Sequence, residues 1–162
     1  MNIRPYHSRD LSALIELTIA TFGPFFEHHF RPLAGETIFR HQHGRWADDY
    51  RALVPTLHDP ATGKHVAVAE TDDQAIAGYI GWKVDPARRH GDVVILAVAL
   101  THRRSRIGAA LCEHAFADMA RTGAEVVTIG TGGADSFHAP ARALYESLGC
   151  LPVHVAVYFK QL

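Results

Sequence analysis

Residues 92–111 decide the fold, and they read DVVILAVAL, THRRSR and IGAAL in succession. The first part, Asp92–Leu100, is apolar without alternation, which predicts a strand covered on both faces inside a sheet. The basic turn Thr101–Arg106 follows, and Ile107 begins an apolar helix. A helix start exposes about four backbone N–H groups and carries about half a positive charge. With arginines beside it, this helix start is predicted to bind an anion such as a diphosphate.

The segments downstream extend the pattern. The helix is expected to continue from about Ser105 to Thr122, and Glu125–Gly130 reads as a second buried strand. A strand, a helix and a strand at this spacing imply a right-handed parallel crossover. Pro140–Leu148 fits a short helix that begins with proline and ends before glycine. Val153–Phe159 alternates apolar and other residues, which predicts a closing, half-buried strand.

The segments upstream complete the prediction. In order, they are a strand at residues 2–6, a helix from Ser8 that ends at Gly23-Pro24, a less regular region with a helix around residues 36–57, and a hairpin of residues 65–70 and 76–84. The expected fold class is α/β (α+β). Its sheet is mixed and mostly antiparallel, has six to seven strands with a central parallel pair, and is flanked by helices.

Composition limits the classes of function. The chain has 162 residues, which fits a single domain over residues 1–162. A net charge of −1 gives no overall field for nucleic acid, and no apolar run suggests a membrane partner. Two cysteines without C-x-x-C spacing predict a reducing compartment, and we expect the cytoplasm. The twelve histidines lack the spacing of a ligand set, so no metal is expected.

Two motifs carry a family resemblance. The first is Arg103-Arg104-Ser105-Arg106-Ile107-Gly108, where a family pattern of [Q/R]-x-x-G-x-[G/A] has glycine in place of Arg106. The second is the helix that begins near His138, where that family often has asparagine, and continues into Leu144-Tyr145-Glu146. Together with the order of elements, they resemble the GNAT superfamily of acyl-CoA-dependent N-acetyltransferases. The resemblance extends over nearly the whole chain.

The resemblance implies acetyl-CoA as co-substrate. In such proteins the pantetheine arm pairs with the central strand where it diverges from its neighbour, and the backbone N–H of Val98 would polarise the thioester carbonyl. The residues implied in coenzyme binding are Leu96, Ala97, Val98, Arg103, Arg104, Ser105, Arg106, Ile107, Gly108, Ala109, His138, Ala141 and Tyr145.

The resemblance also suggests catalytic residues. Asp92 stands six residues before Val98, where a carboxylate resembles the family's general base, although a solvent-facing acid at a strand start fits equally. Glu70 and Glu27 are weaker candidates. Tyr145 is the expected general acid that protonates the leaving thiolate, and its alternative role is core packing.

The implied reaction moves an acetyl group to a primary amine of a small molecule or of a protein or peptide, by direct attack through a tetrahedral intermediate. Two other functions stay open. One is a catalytically silent acyl-CoA-binding sensor, favoured by the replacements at Arg106 and His138. The other is a phosphate-binding α/β protein without acyl chemistry. A homodimer is compatible with each of these interpretations.

Overall fold

The computed structural model describes residues 1–162. Its main helices and strands are, in chain order, β1 (Asn2–Pro5), α1 (Leu11–Phe25), α2 (Arg31–Ala34), α3 (Glu36–His43), α4 (Trp46–Leu53), β2 (Lys64–Glu70), β3 (Ile76–Asp85), β4 (His90–Val98), α5 (Ile107–Arg121), β5 (Val126–Ile129) and α6 (Ala139–Ser147). None of the helices combines the length and the apolar character that crossing a membrane would require.

The sheet is mixed, as predicted. Its strands follow the order β1-β2-β3-β4-β5, and every neighbouring pair is antiparallel except β4 and β5, which are parallel and joined through α5. The strand count is five instead of six to seven, and the parallel pair lies at one side of the sheet because no strand covers β5. The predicted class is confirmed, and the hairpin of β2 and β3 lies where the sequence placed it.

Two hydrophobic cores cover the two faces of the sheet. On one face, Leu111 and Met119 of α5 pack with residues that include Val93 of β4. On the other face, Leu14 of α1 packs with residues that include Ile95 of β4. β4 therefore contributes to both cores, which accounts for its apolar sequence without polar alternation.

Helix α1 does not end at Gly23-Pro24, contrary to the sequence prediction. The helical path passes through Pro24, continues as a π-helix over Phe26–Phe30 and runs on into α2. A proline inside a helix costs about 3 kcal/mol. Aromatic packing opposes that cost, since the ring of Phe26 stacks on Trp46 with centroids 5.3 Å apart. Tertiary contacts thus outweigh the helix-breaking effect of Pro24.

Two further predictions of secondary structure are corrected. The helix expected around residues 36–57 is divided into α3 and α4 at Gly44. The closing strand expected at Val153–Phe159 is not formed, and residues 150–162 have no regular secondary structure. A strand needs a neighbouring strand for its backbone hydrogen bonds, and in this structure the segment does not pair with the sheet.

Candidate active site

The site begins where β4 and β5 separate. The two strands pair from His90 opposite Val126 to Val93 opposite Ile129, and β4 then continues alone on this side to Val98. The gap is one border of a cavity of about 730 Å³, and Leu96 and Val98 form part of its wall. The divergence that the family resemblance implied is therefore present.

The cavity joins β4 to the first turn of α5, to α6 and to α1. Its lining residues are Thr21, Phe22, Leu96, Val98, His102, Arg103, Arg104, Arg106, Ile107, Gly108, Ala109, Glu113, Phe137, His138, Pro140, Ala141, Leu144, Tyr145, Ser147 and Leu148.

One end of the cavity is basic and rich in free donors. The backbone N–H groups of Ile107, Gly108 and Ala109 begin α5, and they donate to no backbone carbonyl and to no capping side chain. Arg103 and Arg104 line the same end, and neither guanidinium forms an ion pair within the chain. Partial burial lowers the pKa of Arg103 from its ordinary value. These unpaired donors fit a phosphate group, because a helix start and guanidinium groups both bind anions.

Arg106 occupies the conformation that its sequence position suggests for glycine. Its φ of 62° and ψ of 7° lie in the left-handed region, directly before α5. A side chain in that region costs about 1–2 kcal/mol, so the turn keeps the glycine-type backbone at an energetic cost. Arg106 also lines the cavity. The replacement of glycine has therefore left the path of the turn intact.

The position of Tyr145 is compatible with both roles that the sequence left open, core packing and proton donation. Its ring packs against the core beneath α5, and the residue also lines the cavity. Burial raises the pKa of its phenol well above the ordinary value, and the nearby thiols of Cys112 and Cys150 add to this effect. The group is therefore a protonated phenol at neutral pH, as a proton donor must be.

His138 belongs to a side-chain pair that sequence reasoning did not find. Its Nδ1 lies 2.8 Å from each carboxylate oxygen of Asp135, and its Nε2 has no hydrogen-bond partner. Burial acts to raise the pKa of Asp135, but hydrogen bonds from the imidazole and the backbone N–H of His138 outweigh it and leave the pKa below the ordinary value. An ionised carboxylate on Nδ1 favours the tautomer whose Nε2 can accept a proton.

The loop that carries this pair is fixed from two sides. Arg142 of α6 donates from Nη1 to the carbonyl of Gly132 at 2.7 Å and from Nη2 to the carbonyl of Asp135 at 2.9 Å. Gly132 itself lies against the pair, so closely that a Cβ there would overlap both side chains. Glycine is thus needed at position 132 because no side chain fits there. The glycine-rich sequence after β5 gave no functional prediction by itself.

Thr21 is a second cavity residue that the sequence did not indicate. The residue is only 6% exposed, and its hydroxyl oxygen is buried without a hydrogen-bond partner. A buried unpaired hydroxyl is costly unless a ligand or water completes it. Its position on the cavity wall makes Thr21 a candidate contact for a bound molecule.

The structure separates the predicted site residues into two groups. Those that line the cavity are Leu96, Val98, Arg103, Arg104, Arg106, Ile107, Gly108, Ala109, His138, Ala141 and Tyr145. Ala97 is fully buried in the opposite core, and the hydroxyl of Ser105 donates to the carbonyl of His102. Neither residue lines the cavity.

The carboxylates predicted as bases lie elsewhere. Asp92 does not line the cavity, and its Oδ2 lies 3.2 Å from Nζ of Lys83. Glu70 accepts hydrogen bonds from Arg4, and Glu27 accepts one from Trp46. The cavity geometry therefore gives no support to a base among these acids, and the role of Asp92 stays a prediction.

An aromatic cluster adjoins the cavity and consists of Phe25, Phe26, Phe30, His43, Trp46 and Phe137. Phe25 contacts the ring of His138 with centroids 4.6 Å apart. The cluster therefore packs against the imidazole, and Phe137 also lines the cavity. Among the described residues, no three His, Cys, Asp or Glu side chains are grouped so that they could hold a metal ion.

The fold and the cavity together define a class of protein: a mixed α/β domain with a basic helix start beside two diverging parallel strands. The comparisons with known proteins identify the family. The model of the acetyltransferase (GNAT) family matches residues 17–150, and the chain belongs to this family. The family resemblance carried by the two sequence motifs is thereby confirmed.

Solved structures agree with the fold. A mutant of the BH1408 protein from Bacillus halodurans is similar with a TM-score of 0.71 and 19% identity, over 100% of both chains. An acetyltransferase of the GNAT family from Staphylococcus aureus Mu50 has a TM-score of 0.66 and 16% identity, over 91% of this chain and 82% of that one. AAC(6')-Iy in complex with the bisubstrate analog CoA-S-monomethyl-acetylneamine has a TM-score of 0.68 and 11% identity, over 99% and 97% of the two chains. No curated protein sequence gives a significant match.

Proposed function

We propose that this protein is an N-acetyltransferase that moves the acetyl group of acetyl-CoA to a primary amine of a small molecule or of a protein or peptide. Residues 1–162 act in it as one catalytic domain. The observation that carries the proposal is the arrangement of one cavity, with unpaired phosphate donors at one end and the side chains of Tyr145 and His138 on its wall.

Coenzyme binding follows from the basic end. The free N–H groups of Ile107, Gly108 and Ala109, with the guanidinium groups of Arg103 and Arg104, hold the diphosphate. The pantetheine arm then lies along the unpaired side of β4, beside Leu96 and Val98. An amide-rich arm in this place satisfies backbone groups that β5 leaves open.

The attacking amine has to lose a proton. A lysine-type amine has a pKa of about 10.4, so only about one molecule in a thousand is neutral at pH 7. We assign the general base to His138, because Asp135 holds its Nδ1 and leaves Nε2 free. Nε2 accepts the amine proton as the nitrogen bonds to the thioester carbon, and the backbone N–H of Val98 stabilises the oxyanion.

Collapse of the tetrahedral intermediate breaks the carbon–sulfur bond, and the leaving thiolate takes a proton from Tyr145. Burial keeps this phenol protonated until that moment. The same burial also disfavours a thiolate beside it, which offsets part of the cost of forming a buried phenolate. Proton exchange between His138, Tyr145 and solvent restores both groups for the next turnover.

An activity assay tests the proposal directly. The full chain is incubated with acetyl-CoA and a panel of small amines and lysine peptides, and thiol release is measured together with acetylated product. Coenzyme binding is followed in parallel by thermal shift. Release that requires an amine supports the transferase. Binding without release on every amine supports the silent sensor instead, and equal competition by ADP and by coenzyme A supports a simple phosphate-binding protein.

Two matched variants test the base. His138→Gln is expected to lower kcat by about 100-fold or more, because general-base catalysis contributes about 10²–10⁴-fold. Asp92→Asn changes an acid outside the cavity and is expected to leave kcat nearly unchanged. If Asp92→Asn lowers kcat strongly and His138→Gln does not, the general base is Asp92.

A further inference from the structure

The part of the cavity around His138 has an apolar wall. Helix α1 contributes Thr21 and Phe22 to it, and the loop before α6 contributes Phe137. Thr21 and Phe22 lie near His138 because Phe25, one helical turn later in α1, contacts the imidazole ring with centroids 4.6 Å apart. We call Thr21, Phe22, Phe137 and His138 the acceptor wall, since an amine within reach of Nε2 lies beside them.

The two phenylalanine rings of the acceptor wall are held in place by other rings. Phe22 stacks on Tyr50 with centroids 5.2 Å apart, and Phe137 contacts Phe25 with centroids 5.7 Å apart. A wall that is already fixed needs little ordering when a ligand binds. It therefore offers a preformed surface to an aromatic or aliphatic group.

The permanently charged side chains of the cavity lie outside the acceptor wall. Arg103, Arg104 and Arg106 belong to the turn before α5, and Glu113, which is the one carboxylate in the lining, belongs to α5 itself. Three guanidinium groups against one carboxylate give the lining a net positive charge. This charge opposes the entry of a ligand with several ammonium groups.

Two acids of the surrounding segments are already paired. Oε2 of Glu27 lies 2.7 Å from Nη1 of Arg31, and its Oε1 accepts a hydrogen bond from Trp46. The carboxylate of Asp135 is held by His138. Neither acid is free to pair with a second ammonium group of a substrate. Such a group would lose its hydration at the acceptor wall without gaining a partner, which is costly.

The hydroxyl of Thr21 is the polar group that the acceptor wall leaves unsatisfied. Thr18, almost one turn earlier in α1, donates its hydroxyl hydrogen bond to the carbonyl of Leu14 at 2.6 Å. Thr21 is 6% exposed and has no such partner. A buried hydroxyl in this state gains from a ligand that supplies a donor or an acceptor. One uncharged polar group on the ligand meets this need.

We propose that the acceptor is a primary amine with an apolar, aromatic body that carries one uncharged hydrogen-bonding group, such as a phenol hydroxyl, and that Thr21 binds this group. The inference rests on the proposed acetyl transfer and names its substrate class. The aromatic ring packs beside Phe22 and Phe137, where its burial stabilises the complex. The transfer itself is unchanged: the nitrogen–carbon bond forms, the carbon–sulfur bond breaks, the amine proton passes to Nε2 of His138 and the thiolate takes its proton from Tyr145.

Steady-state kinetics on the full chain with acetyl-CoA give the first test. The amines are tyramine, phenethylamine, hexylamine, spermidine and a lysine peptide. We expect kcat/KM for tyramine to exceed that for phenethylamine by about 5- to 10-fold, because one hydrogen bond distinguishes them. Spermidine and the lysine peptide should be poorer than both aromatic amines. A preference for either polycation, or equal values for all amines, would overturn the substrate class while leaving the acetyl transfer intact.

Thr21→Val tests the assigned hydrogen bond. The ratio of kcat/KM for tyramine to that for phenethylamine should fall towards one, while KM for acetyl-CoA stays constant. Thr56→Val is the matched control, because it makes the same change outside the cavity and should keep the wild-type ratio. Thr21→Val should unfold at a temperature no lower than the wild type, since it removes an unpaired hydroxyl. An unchanged ratio, or a raised KM for acetyl-CoA with both amines, would overturn the role of Thr21.

Phe137→Leu tests the aromatic part of the proposal. It keeps an apolar side chain but removes the ring, so the ratio of kcat/KM for phenethylamine to that for hexylamine should fall. A ratio avoids any general effect on the neighbouring His138, which acts on both amines alike. A ratio that stays at the wild-type value would contradict recognition of an aromatic body. If coenzyme A binds and no amine is acetylated by the wild type, the proposed function itself fails, and this inference fails with it.

Discussion

Gly132 lies directly against Asp135, so that a methyl group at position 132 would overlap the carboxylate that holds the imidazole of His138. The absence of a side chain at one position thus permits a hydrogen bond at another. This packing links the glycine-rich loop after β5 to the proposed proton transfer, and its consequence can be measured.

Gly132→Ala is expected to displace the Asp135 carboxylate and lower kcat by about 100-fold, because a shift of about 1 Å in a catalytic group costs about that much. The affinity for coenzyme A should stay nearly constant, since the helix start is not altered. Gly133→Ala is the matched control, because a Cβ there meets only the carbonyl of Val155 at 3.9 Å. Equal rates for both variants would show that the loop packing does not position the base.

Tyr145→Phe keeps the ring that packs beneath α5 and removes only the hydroxyl. We expect kcat to fall by about 100-fold or more, with little change in the affinity for acetyl-CoA. Because burial raises the pKa of Tyr145, its protonated form persists to higher pH than that of an ordinary tyrosine. The alkaline limb of the wild-type profile should therefore not arise from Tyr145 below pH about 10. An unchanged kcat would leave Tyr145 with packing alone.

Arg103→Glu should weaken the binding of coenzyme A by about 10- to 100-fold, because it replaces a charge-assisted donor with a repelling carboxylate. Binding of a phosphate-free pantetheine thioester should change little. Isothermal titration measures both ligands. Arg88→Glu serves as control, since Arg88 is exposed and does not line the cavity. If Arg103→Glu weakens the binding of coenzyme A and of the phosphate-free thioester equally, Arg103 does not bind the diphosphate.

Arg106→Gly should raise the free energy of unfolding by about 1 kcal/mol, because glycine adopts the left-handed conformation at position 106 without the cost of a Cβ. It should also weaken coenzyme binding, since one guanidinium of the cavity is lost. Arg106→Ala should weaken binding equally without adding stability. Urea unfolding measures the stability of each variant, and isothermal titration measures its affinity for the coenzyme. If Arg106→Gly is less stable than the wild type, the backbone at Arg106 is not strained.

Arg4→Met is expected to lower the free energy of unfolding by about 3 kcal/mol at pH 7, because the nearly buried Asp10 loses its partner. Hydrogen bonds from Arg4 hold the pKa values of Asp10 and Glu70 below their ordinary range. Lowered pKa values stabilise the fold above pH about 4, and this stabilisation is lost as pH falls through them.

The difference between Arg4→Met and wild type should therefore narrow as pH falls from about 5 to about 2. The control Arg51→Met breaks an exposed pair with Asp48 and should cost about 0.5 kcal/mol at most. Chemical unfolding at several pH values measures both variants. A difference independent of pH would assign the effect of Arg4 to packing.

The sequence predicted the coenzyme end of the cavity more completely than the catalytic end. The strand before the basic turn, the start of α5 and the face of α6 that carries Tyr145 each depend on residues close together in the chain. Periodicity and helix-end chemistry describe such segments directly. The departure at Arg106 was also visible, although only the structure shows that its backbone keeps the left-handed conformation.

Other features depended on contacts between distant segments. The passage of α1 through Pro24 depends on aromatic rings that include Trp46, and the pairing of Asp92 with Lys83 depends on the register of two strands. Neither contact leaves a periodic signal. The expected strand at Val153–Phe159 had the correct alternation, but alternation does not supply the neighbour that a strand requires.

The sequence by itself thus determined the order of elements from β2 to α6 and the basic helix start, because each follows from local hydrogen bonding and side-chain periodicity. Its two motifs also indicated the family by resemblance. Only the tertiary structure decided that Asp135 holds His138, that Thr21 is left unpaired and that β5 stays open, because these depend on how separate segments pack in space.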